Sequence, residues 1–156
     1  MQFKQIRKCI SPEKQKFKND CGHACIIYLN RVLSHKSVDF ILPHRSKKLK
    51  MSKIFDILSD FKCNPTPYES TKNTLLFNSK NSIHVVLDKE HYYIAIKQVN
   101  KHFFCMDPAR GYCLKSFDSH RIITHIRINS TFLKDSMNEQ YMFILLIMTF
   151  PYLSIE

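Results

Sequence analysis

Cys21, His91 and Asp107 are the residues whose types and placement point to chemistry in this chain. Asn19 and Asp20 stand where a helix N-cap belongs, and behind them Cys21, Ala24, Cys25, Tyr28 and Val32 recur at spacings of three and four, an apolar helical stripe. The cysteine therefore opens a helix. There, unpaired backbone N–H groups and the positive end of the helix dipole favour thiolate over thiol, which makes a better nucleophile. Gly22 beside it removes a side chain from the approach to the sulfur. A free cysteine is more often a small buried hydrophobe than a nucleophile, so the reading depends on finding a base. His23 cannot be that base, because residues two apart on a helix point to nearly opposite sides.

The base has to come from the second half of the chain, where the hydrophobic period changes to two. Ile83–Leu87, His91–Ile96 and His102–Met106 are rich in β-branched and aromatic residues and are separated by the polar turns 88–90 and 98–101, the pattern of an antiparallel meander. With a four-residue second turn, Lys97 faces His102 and His91 falls opposite Asp107 or Pro108. Either register leaves His91 and Asp107 neighbours at one end of the sheet, about 5–6 Å apart at the backbone. Pro108 cannot donate to a ladder, and Pro108-Ala109-Arg110-Gly111 ends the strand in a turn, so Asp107 sits where a polar side chain can face a cleft. Gln15, six residues before Cys21, carries a side-chain amide of the kind that stabilises an oxyanion in acyl transfer.

Around this constellation the rest of the chain reads as a single compact unit. At 156 residues it is long enough to bury a real core, and 44% hydrophobic with 24% charged residues is a globular balance. Twenty-four basic against 13 acidic residues give a net charge of +11, which raises the question of a nucleic-acid partner. The basic residues are dispersed, however, and the densest run, Arg45 to Lys50, is short enough to be a solvated loop. Six cysteines without a CxxC pair, and an N-terminus lacking the apolar core of a signal peptide, fit a reducing compartment. A zinc site on Cys21, His23 and Cys25 fails because residue 23 does not share the helix face of the other two.

Residues 1–14 read as a polar lead-in running along the domain, and 37–43 as a short helical turn stopped by Pro43. A second helix is expected over Ser52–Phe61, with Ile54, Phe55, Leu58 and Phe61 on one side; that stripe is core or, where exposed, a docking groove. Further strands are expected near Tyr112–Leu114 and at Ile122–Ile128, with a polar turn at 116–120. The uncharged segment 141–155 is shorter than the about 20 apolar residues that span a bilayer. It is either a last packed element or the start of a membrane region, so we divide the chain into a domain at 1–140 and an apolar tail at 141–156.

In order and spacing these residues resemble the bacteriocin-processing cysteine peptidases, the papain-like domain at the N-terminus of peptide-exporting ABC transporters. The resemblance rests on Gln15 ahead of Asp20-Cys21-Gly22-His23-Ala24-Cys25, on His91-Tyr92-Tyr93-Ile94-Ala95-Ile96, and on Asp107-Pro108-Ala109-Arg110-Gly111, and covers about residues 8–130. It departs from the family pattern at Lys50-Met51-Ser52, where a Gly-x-Ser is common, and at Asn81-Ser82-Ile83, where a proline is common. The resemblance implies an α+β fold with N-terminal helices packed on a C-terminal antiparallel sheet. It implies Cys21 as nucleophile, His91 as general base and acid, Asp107 as the group orienting the imidazole, and Gln15 as oxyanion donor. It implies removal of a leader peptide after a double-glycine-type site at the cytoplasmic face of a bacterial membrane, alongside the membrane domain of a transporter. No cofactor is implied in this chain: its two glycines, Gly22 and Gly111, lie far apart, so ATP would be handled by a separate nucleotide-binding domain. Gly22, Ile54, Phe55 and Leu58 are the candidates for substrate contact. The competing readings are a silent leader-docking domain and a basic nucleic-acid module.

Overall fold

The three- and four-residue spacing behind Asp20 becomes helix α1, Cys21–Val32, in the computed structural model, which describes residues 11–32, 42, 44–60, 65, 69–70, 83–96, 102–116 and 122–128. Its first hydrogen bond runs from Ala24 N to the Asp20 carbonyl at 3.0 Å. Cys21 to Ile26, Tyr28, Leu29 and Val32 are all buried, so α1 is a central helix rather than an amphipathic one on the surface. Helix α2, Met51–Asp60, is amphipathic: Met51, Ile54, Ile57 and Leu58 are buried while Ser52, Lys53 and Asp56 face out. It starts one residue before the expected Ser52, and Phe61 lies outside the described residues.

Six strands form one sheet: β1 (Glu69–Ser70), β2 (Ile83–Asp88), β3 (His91–Ile96), β4 (His102–Asp107), β5 (Gly111–Ser116) and β6 (Ile122–Ile128). The order is β1-β6-β2-β3-β4-β5, and the pairings are antiparallel. The meander from β2 to β5 follows the sequence reading, but β6 returns to the other side of β2 instead of extending the meander. Two-residue β1 was not foreseen, because a pair of residues gives no period. A two-residue turn, Lys89-Glu90, joins β2 to β3, and Lys89 adopts φ 56°, the left-handed conformation that such a hairpin turn demands.

The expected register between β3 and β4 is off by one. Ile94 pairs with Met106 and Ile96 with Phe104, so carried to the strand's end the ladder sets His91 across from Ala109, not from Asp107 or Pro108. Loop length fixes hairpin register, and residues 97–101, on which the expectation rested, lie outside the described residues. His91 and Asp107 meet diagonally instead, within reach of their side chains.

One face of the sheet packs on the helices: Ile83, Val85, Tyr92, Ile94, Ile96, Met106, Tyr112, Ile126 and Ile128 share a core with α1 and α2. Burying a side chain such as Ile54 or Leu58 there contributes about 1.5–3 kcal/mol. The opposite face holds a second cluster of Val86, Tyr93, Ala95 and Cys105. No helix among the described residues is long and apolar enough to cross a membrane. Most of the lead-in (1–10), most of the turn at 37–43, the turn at 117–120 and the tail at 141–156 lie outside the described residues.

Candidate active site

Three elements converge at one end of the sheet. The first residue of α1 brings Cys21, the first of β3 brings His91, and the last of β4 brings Asp107. Element ends are where side chains can leave the regular packing, and all three line one open cleft of about 480 Å³. Gly22 sets how closely α1 approaches. A Cβ there would stand 3.3 Å from Ile54 Cδ1, 3.3 Å from Tyr92 Cδ2 and 3.4 Å from Leu49 Cβ. The missing side chain thus lets three core groups close on the helix start.

His91 Nε2 lies 2.6 Å from Asp107 Oδ1. Asp107 is buried while the His91 side chain is 33% exposed. The same Oδ1 accepts the Ala109 N–H at 2.9 Å, which fixes the carboxylate in its turn. The His91 ring and the Cys21 thiol lie close enough for each to shift the other's titration. The Tyr92 backbone N–H also donates to Cys21 Sγ at 3.4 Å.

These contacts set the charges. Burial, the largest single influence, pushes the Cys21 thiol up. The His91 hydrogen bond, the Tyr92 N–H, the imidazolium charge and the Gly22 N–H together outweigh it and hold the pKa below the ordinary thiol value. The hydrogen bond to Asp107, followed by that to Cys21, raises His91 to about 9 against the opposition of burial. The lowered thiol and the raised imidazole both move toward a thiolate and an imidazolium beside a carboxylate, the groups that nucleophilic acyl transfer uses. Cys25, one turn along α1, is fully buried, and burial drives its thiol well up, as expected of a core residue.

Gln15 is not in the cleft. Its backbone N–H donates to the Pro108 carbonyl at 2.9 Å, so it sits against the turn after Asp107, but Nε2 donates to the Phe17 carbonyl at 3.1 Å. Ile54 and Leu58 are completely buried in the core, while Phe55 is half-buried. The apolar period that suggested a docking face is spent on the core.

Two residues matter more than the sequence indicated. Asp20 occupies the N-cap position, yet its carboxylate turns back, accepting N–H bonds from Lys16 and Phe17 at 3.1 Å each and the Arg45 Nε at 2.6 Å. Arg45, which we read as part of a solvated run, is drawn into this ion pair. Glu13 joins it, 2.7 Å from Arg31 and 4.0 Å from Arg45. The signal available was an acid just before the nucleophile in a chain short of acids, but nothing in the sequence pairs residue 20 with residue 45. Among the described residues no group of three or more His, Cys, Asp or Glu is arranged to hold a metal ion.

The model of the peptidase C39 family matches residues 10–119, which include α1, the cleft and the hairpin carrying Asp107. Comparison with curated proteins gives no match. The chain belongs to the peptidase C39 family, the bacteriocin-processing cysteine peptidases, and is a cysteine peptidase with their papain-like α+β fold.

Proposed function

We propose that this cysteine peptidase removes the leader from a bacteriocin-like or signalling precursor peptide after a double-glycine-type site, in step with export of the product. The observation that carries the reading is the convergence of Cys21, His91 and Asp107 on one cleft, with the His91 ring hydrogen-bonded to Asp107. In the proposed mechanism the Cys21 thiolate attacks the carbonyl carbon of the second small residue, forming a C–S bond and an oxyanion. Collapse breaks the C–N bond as the His91 imidazolium gives its proton to the leaving amine. Water then attacks the thioester, His91 takes its proton, and the C–S bond breaks to release the leader carboxylate and restore the thiolate. Asp107 holds the ring on Nε2 throughout. Gln15 donates to the oxyanion once its amide turns from the Phe17 carbonyl toward the cleft.

Small residues are expected at the cut, as the family resemblance implies. Lys18, Lys48, Lys89 and Arg110 line the rim of the cleft, which favours acidic character in the bound segment at low salt. We place the activity at the cytoplasmic face of a bacterial membrane beside a transporter's membrane domain, with ATP turned over outside this chain and no nucleic acid involved. Fractionation of expressing cells checks the location.

The direct experiment is turnover of a leader-fused precursor by wild-type and Cys21→Ala protein. Cleavage after the second glycine that vanishes in the variant, and that falls steeply when either glycine becomes Val, is the expected result. Tight binding of the leader with no turnover by intact protein would instead make it a docking domain.

A further inference from the structure

Cys105 and Cys113 take no part in the proposed mechanism, yet they stand directly opposite each other on β4 and β5. Their sulfur atoms are 2.6 Å apart. That is closer than the about 3.5–4.0 Å at which non-bonded carbons pack, and it approaches the about 2.05 Å of a sulfur–sulfur bond. Accessibility differs between the two: Cys105 is completely buried, whereas Cys113, on the outermost strand at this side of the sheet, is half-buried. We infer that Cys105 and Cys113 are a modifiable dithiol, closed to a cross-strand disulfide by exchange with a low-molecular-weight disulfide.

Accessibility sets the order of steps. The Cys113 thiolate attacks one sulfur of the reagent, forming a mixed disulfide and expelling one thiolate. Cys105 then attacks Cys113 Sγ, forming the intramolecular bond and expelling the second. The protons of the two cysteines end on the two small thiols released, so the protein loses two electrons and the reagent gains them. Strand pairing already holds the partners face to face, so closure needs no rearrangement of the chain. The bond would close the hairpin whose turn carries Asp107, from Asp107 opposite Gly111 down through Met106 opposite Tyr112. It covalently holds the turn that orients His91.

The test uses Cys21→Ser protein, so that the most reactive thiol does not compete. After incubation with oxidised glutathione, remaining thiols are alkylated in denaturant and the chain is cut with trypsin, which separates the two cysteines after Arg110. Peptides joined through Cys105 and Cys113 are expected, with neither alkyl nor glutathionyl groups, and dithiothreitol should release them. The oxidised form should also show a higher melting temperature than the reduced form, and Cys113→Ser should abolish both the link and the rise. Glutathione left on Cys113 with Cys105 alkylated, both thiols alkylated, or Cys113 joined to a different cysteine would each overturn the inference. A link that leaves the melting temperature unchanged would overturn its role as a clamp on the hairpin.

Discussion

The sheet carries buried or half-buried histidines in two places, with opposite outcomes. At the cleft, Cys21, His91 and Asp107 come from the ends of three elements; on the opposite face, His84 and His125 sit mid-strand with Nδ1 atoms 3.2 Å apart and rings nearly perpendicular, both buried. In the first place a carboxylate holds the imidazole charged, an opening leads to solvent, and the thiol is held below its usual range. In the second, one ring offers a proton on Nδ1 and the other a lone pair, a buried contact between two imidazoles. Residue type is the same, so what separates reactive from structural is position: the end of an element, a carboxylate within hydrogen-bond reach, and access to a cleft.

That contrast is broken most sharply at the cleft. On the proposed assignment, Cys21→Ala or His91→Ala should lower kcat/KM for a leader-fused peptide by about 10⁵-fold or more, with the melting curve of Cys21→Ala nearly unchanged. Iodoacetamide should label Cys21 ahead of Cys25, Cys105 and Cys113 at neutral pH. Labelling in which Cys113 leads would move the nucleophilic character to the other region and sink the comparison.

A smaller effect is expected from Asp107→Asn. The amide oxygen still accepts from His91 and from the Ala109 N–H, but the charge that raises His91 is gone. Turnover should fall on the order of 100-fold. The pH profile sharpens the point. The ion pair exists above the lowered pKa of Cys21 and below that of His91, so wild-type activity should decline as pH rises through about 9, and in Asp107→Asn that alkaline limb should move down. The same shift is a stability statement. His91 is raised above its ordinary 6.5, so its contribution is complete below that value and is lost as pH climbs through about 9.

The contrast also explains what could be read in the sequence. The α1 stripe, the strands at 83–88, 91–96 and 122–128, and the elements that carry Cys21, His91 and Asp107 were legible because period and turn chemistry are local. Three things were not, because they are decided between distant segments. The register of β3 on β4 hung on a loop length, the return of β6 beside β2 has no local signature, and burial of Ile54 and Leu58 depends on α1 lying over them. Gln15 was placed by spacing alone, and spacing does not say which carbonyl an amide will find.

Asp20 tests how far the cleft depends on its supports. Its side chain is fully buried against a mostly buried Arg45, and removing one partner of such a pair leaves the other uncompensated. Asp20→Ala should cost about 3 kcal/mol in denaturant melts. Burial alone would raise this carboxyl, but the Lys16 N–H, Arg45 and the Phe17 N–H lower it, so the contribution is present above the ordinary carboxylate pKa and is lost as pH falls through the lowered one. A variant as stable as wild type at pH 7 would mean that the ion pair only tidies the loop.

The smallest effect on chemistry belongs to the opposite face. In His84→Leu the volume is roughly kept, but the buried Nδ1 contact between the two rings is lost. A lost buried hydrogen bond costs on the order of 1 kcal/mol, so the denaturation midpoint should drop while kcat/KM stays within about twofold of wild type. Replacing both rings by apolar residues should recover part of the loss, because removing both partners of a buried hydrogen bond is far milder than removing one. The double-mutant cycle isolates the contact from the packing around it. Should His84→Leu instead reduce turnover as much as Asp107→Asn while the melt is unchanged, the two regions would be chemically coupled through β2 and β3, and element ends would no longer be a sufficient account of where this protein keeps its reactive groups.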